Sequence, residues 1–113
     1  MSQARIDAFT AMLKDQPGNE MIWYGLANEY SKLARWPEAS EALRNVIRLN
    51  PDYTAAYQML GSALLQLDQA EEARLVLTEG IASAERTGAW KARQHLEGLL
   101  AGASAQNAPA FCG

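Results

Sequence analysis

A chain of 113 residues, 49% of them hydrophobic, is long enough for one domain with a real core and too apolar for wholesale disorder. Its formal net charge of −3 excludes a general nucleic-acid binder, which needs Lys and Arg clustered against phosphates. One cysteine (Cys112), an N-terminus without a signal peptide's unbroken apolar stretch, and no run near the roughly 20 apolar residues of a bilayer span predict a small soluble cytoplasmic protein without membrane insertion.

Apolar residues recur at helical spacing, and no segment alternates as a strand would. The first helix is expected over 3–15, with Phe9, Met12 and Leu13 on one side, before a turn at Pro17. The second, over 20–33, carries Trp23, Leu26, Ala27, Tyr30 and Leu33 on a single stripe. The third, over 36–49, opens with Pro37, tolerated in a first turn because its missing N–H has no helical partner there. Its stripe is Ala39, Leu43, Val46 and Ile47, and Pro51 follows its end. The fourth, over 54–67, repeats the second with Tyr57, Leu60, Gly61, Leu64 and Leu67. The fifth, over 70–85, repeats the third with Ala73, Leu77, Gly80 and Ile81, and Asp68 with Glu71 reads as its capping pair. The sixth is expected over 88–101, and the small, polar residues 102–113 as a flexible tail. Both pairs of stripes are offset by 34 residues (57 − 23 and 73 − 39), as are Pro17 and Pro51.

Trp23-x2-Leu26-Ala27-x2-Tyr30, Ala39-x3-Leu43 and Pro51 form one copy of a pattern. Tyr57-x2-Leu60-Gly61-x2-Leu64 and Ala73-x3-Leu77 form the next, with Glu85 in the place of the proline. The pattern resembles the tetratricopeptide-repeat family, whose signature is W-x2-L-G-x2-Y, then A-x3-F, then P. The resemblance covers about residues 3–100. It implies an all-α fold of about six helices, antiparallel helix-turn-helix repeats in a short right-handed superhelix. A single domain over 1–101 would hold repeats at about 20–53 and 54–87, between the helix 3–15 and a capping helix 88–101. Small residues at Ala27, Ala39, Gly61, Ala73 and Gly80 allow close helix approach, and large ones fill the space between. Leu96 takes the role of Leu60 at a spacing of 36, so two extra residues near "AERTG" should lengthen the fifth helix or tilt the sixth.

The family generally holds peptide segments in a concave groove lined by the first helix of each pair. The resemblance therefore implies a non-catalytic protein-interaction module with a protein or peptide partner. The stripe left free by packing is Met21, Tyr24, Asn28 and Lys32, then Ala55, Gln58, Ser62 and Leu65, then Lys91, Gln94 and His95. Tyr24, Asn28, Gln58 and Ser62 are the foremost candidates. The chaperone-binding version of the family wants a basic residue where Tyr24 stands and an Asn where Met59 stands, so acidic chaperone tails are not the expected ligand. An enzyme is disfavoured: His95 is the sole histidine, and no Gly-rich phosphate loop or Cys/His cluster is present. No catalytic residue, metal or cofactor is expected. The alternative is a structural protein that self-associates as a homo-oligomer, through the ends of the array or through Leu65, Tyr53 and Trp36.

Overall fold

The computed structural model describes residues 2–106, which form six α-helices. They are α1 (Ser2–Asp15), α2 (Glu20–Lys32), α3 (Trp36–Leu49), α4 (Thr54–Gln66), α5 (Ala70–Thr87) and α6 (Trp90–Gln106). α1 and α3 each end two residues before a proline, Pro17 and Pro51, because the residue preceding proline is driven out of the helical region. Asn19 caps α2, its side-chain oxygen accepting the Met21 amide at 3.0 Å.

The turns from α2 to α3 and from α4 to α5 are built alike. Ala34 (φ 56°) and Asp68 (φ 59°), one period apart, take the left-handed conformation. The next amides, Arg35 and Gln69, donate back at 2.9 Å to Tyr30 and Leu64, closing a Schellman-type end. The capping pair expected of Asp68 and Glu71 does not form. The N-cap of α5 is Gln69, without a side-chain bond, since Asp68 is used by the turn, where Asp tolerates positive φ.

Each helix packs on the next, and loops of two to four residues make neighbours antiparallel. α4 is central, touching α3, α5 and α6. The small residues of the repeat lie at the closest approaches: Ala27, Ala39 and Ala73 are completely buried, as are Leu43 and Leu77. A Cβ at Gly61 would run into the Leu77 side chain, and one at Gly80 would lie 2.5 Å from the Tyr57 Cβ and 3.1 Å from Leu96. Gly80 is thus required by packing in spite of its cost of roughly 1 kcal/mol in a helix.

The last repeat departs from its predecessor for a definable reason. Position 85 corresponds to Pro51 but is Glu, so nothing stops α5 where α3 stopped. It continues to Thr87 and is closed by Gly88 in the left-handed conformation (φ 73°). α5 is 18 residues long against 14 for α3, and its following loop is residues 88–89 rather than 50–53. Four added and two removed give the spacing of 36. α6 also runs further than the sequence suggested. Leu96, Leu99, Leu100 and Ala103 continue one stripe, with Leu96 and Ala103 fully buried, so residues 102–106 are helix and not tail. Residues 107–113, including Cys112, lie outside the described residues.

The Cα radius of gyration is 14.8 Å and the extents are 52 × 30 × 19 Å. A compact chain of this length would have about 13 Å, so the helices stack lengthwise.

Candidate functional site

The faces of α2 and α4 that packing leaves free, together with the first residue of α3 and one residue of α6, enclose a groove of about 340 Å³. Tyr24 and Ser31 come from α2, Trp36 from α3, Ala55, Gln58, Met59 and Ser62 from α4, and His95 from α6. None of these is Asp, Glu, Lys or Arg, so the lining is aromatic, thioether, amide and hydroxyl, with one imidazole.

Tyr24 is held in place from the side. Its ring lies 4.8 Å from that of Tyr53, inclined by 37°, and the Tyr53 hydroxyl donates to the Met21 sulfur at 3.6 Å. Burial, and then the neighbouring Tyr24, push the Tyr53 phenol above its ordinary value, which keeps it neutral. The Ser31 hydroxyl oxygen is buried and has no hydrogen-bond partner.

Of the residues singled out from the sequence, Tyr24, Ala55, Gln58, Ser62 and His95 come together here. The others do not line the groove. Met21 is 60% exposed and braces Tyr53. Asn28 is half-buried on α2 outside the lining, and Lys32 pairs with Glu29 at 3.3 Å. Lys91 and Gln94 are exposed on α6. Leu65 and Tyr53 are partly buried and pack against the core, and Trp36 is part of the groove.

The discrepancy is angular. Each residue turns an α-helix by about 100°, so Asn28 and Lys32 drift about 40° and 80° from Tyr24, whereas Ser31 lies only about 20° from it. On α4, Leu65 is about 80° from Ala55, while Met59 and Ser62 stay within about 40°. Following the face by seven residues from Tyr24 finds Ser31, and a step of four from Ala55 finds Met59. Trp36 had no such signal, since the turn at Ala34 delivers it.

Among the described residues no helix is long and apolar enough to cross a membrane. A family model described as tetratricopeptide repeat matches residues 35–96. No curated protein matches the chain's sequence. Among solved structures, a TPR2B-domain complex of yeast Sti1 with pHsp70 is similar over 90% of this chain and 82% of that one, at 22% identity and a TM-score of 0.83. The first TPR of Spaghetti (RPAP3), bound to the HSP90 peptide SRMEEVD, is similar over 89% of this chain and 75% of its own, at 23% identity and 0.77. A tetratricopeptide repeat domain protein from Salinibacter ruber is similar over 79% and 90%, at 26% identity and 0.72.

Proposed function

This chain belongs to the tetratricopeptide-repeat family, and on that premise we propose that it is a non-catalytic interaction module whose groove holds a segment of a partner protein. The Sti1 and RPAP3 domains named above carry chaperone peptides on the same architecture. The ligand favoured here differs in chemistry. An acidic segment such as SRMEEVD would meet no Lys or Arg in the lining. The surface suits an uncharged stretch with an apolar side chain set between Tyr24, Trp36 and Met59. Its polar backbone groups would face Gln58 and Ser62.

The observation that carries this reading is a groove on the free faces of α2 and α4 that sets Tyr24, Trp36 and Met59 beside Gln58 and Ser62, with no Asp, Glu, Lys or Arg in its lining. Selection from a displayed random-peptide library, with Tyr24→Glu/Met59→Glu as the counter-target, tests it once circular dichroism shows that the variant is folded. Recovered peptides should share an aliphatic or aromatic anchor and lose at least about tenfold in affinity for the variant, a change of about 1.4 kcal/mol. SRMEEVD should not distinguish the two proteins. Peptides rich in Asp and Glu, or peptides that bind both proteins equally, would overturn the reading.

A further inference from the structure

A second groove runs between α3 and α5, with Leu60 of α4 at its floor and Ile47 and Val76 on its walls, enclosing about 210 Å³. Beside it Leu75 stands out from α5, 68% exposed, more than any other large hydrophobic side chain among the described residues. Glu71 and Glu79 lie one turn before and after Leu75; Glu71 is paired with Arg74 at 3.4 Å, so the leucine ridge of α5 carries its free negative charge at Glu79. The α3 wall is basic, with Arg44 and Arg48. Arg44 is tied to Glu72 across the groove. The Arg48 guanidinium reaches Asn45 of its own helix at 2.9 Å, and Glu79 has no ion pair among the described residues.

We propose that this face is the interface of a two-fold homodimer, in which the Leu75 ridge of each copy docks against the groove and basic α3 wall of the other. The occupant is a second copy because the face is complementary to itself. It holds a free carboxylate, Glu79, and a guanidinium without an ion pair among the described residues, Arg48, side by side, and a projecting leucine next to an apolar slot. In a two-fold interface every contact is made twice, so one match of Leu75 to the slot and of Glu79 to Arg48 satisfies both copies. An unrelated partner would have to match the two charges and the knob separately. The face shares no residue with the lining of the α2–α4–α6 groove, which the dimer leaves free.

Sedimentation equilibrium of the full chain up to about 1 mM, a concentration that still detects millimolar affinity, tests the proposal. The wild type should self-associate to a dimer and no further. Leu75→Glu should weaken association by about a hundredfold or more, since a leucine leaves the interface on both copies, with an unchanged melting temperature at dilutions where both proteins are monomeric, because the side chain is exposed in the single chain. Arg48→Glu and Glu79→Arg, each alone, place like charges opposite each other twice and should be monomeric. Mixed in equal amounts they should form a heterodimer, because position 48 of each then faces an opposite charge at position 79 of the other. A wild type monomeric throughout, a dimer indifferent to Leu75→Glu, or a mixture as monomeric as its components would overturn the proposal.

Discussion

Trp23 and Tyr57 hold the same place in successive repeats and make the same bond. The Trp23 indole N–H donates to the Pro17 carbonyl at 3.0 Å, and the Tyr57 hydroxyl donates to the Pro51 carbonyl at 2.8 Å. Each large residue thus fills the core with its ring and ties down the turn before it. In the last repeat the same connection is ionic, with Arg93 3.5 Å from Glu85, the residue in the proline's place. Tyr57→Phe keeps the packing and loses the bond, so it should cost about 1 kcal/mol in denaturant unfolding. Gly61→Leu and Ala27→Trp drive large side chains into closed contacts and should cost about 3 kcal/mol or more, enough to threaten folding. Gln58→Ala, on the groove, should cost less than about 0.5 kcal/mol. Equal losses in chemical melts from all four would contradict this separation of packing residues from surface residues.

Among the elements, α1 is joined to α2 by an ion pair as well as by apolar contact. Its apolar contact is modest: Ile6 is buried, Phe9 sits over Gly25, and Met12 is 44% exposed. The Glu29 carboxylate of α2 lies 3.3 Å from Lys32 and 3.8 Å from Arg5 of α1. Burial pushes its carboxyl up, but the hydrogen bond from Lys32 and the charges of Lys32 and Arg5 outweigh it, leaving it below the ordinary 4.5. A carboxyl lowered on folding stabilises the fold above the ordinary value, and that contribution is lost as pH falls below 4.5 through the folded value. Glu29→Gln should therefore narrow the gap between melting temperatures at neutral and acidic pH, followed by circular dichroism. A gap as wide as that of the wild type would remove Glu29 from the acid response.

For the molecule as a whole, legibility in the sequence follows from what packing demands. Ala27, Gly61 and Leu43 were readable because close approach of two helices restricts residue size at fixed offsets, and the 34-residue period repeats that restriction. The longer α5 was readable in outline from the spacing of Leu96. Its cause, a Glu in the place of Pro51, needed the structure to become plain. The groove lining was partly legible: Tyr24, Gln58 and Ser62 follow from the face left free, but steps of four from Tyr24 drift around the helix to Asn28 and Lys32, and Leu65, ten residues after Ala55, is turned away from it by about 80°. Nothing in "KLARWPE" announces that Ala34 takes a positive φ and sets Trp36 into the groove, since no glycine marks the turn.

The groove reading is tested most directly by amide shifts of the isotope-labelled chain during titration with a peptide selected on the wild type. The largest shifts should fall on Ser31, Ala55, Gln58, Met59, Ser62 and His95, with Arg48 and Leu75 unmoved. Shifts centred on the α3–α5 face, or on α1, would contradict it.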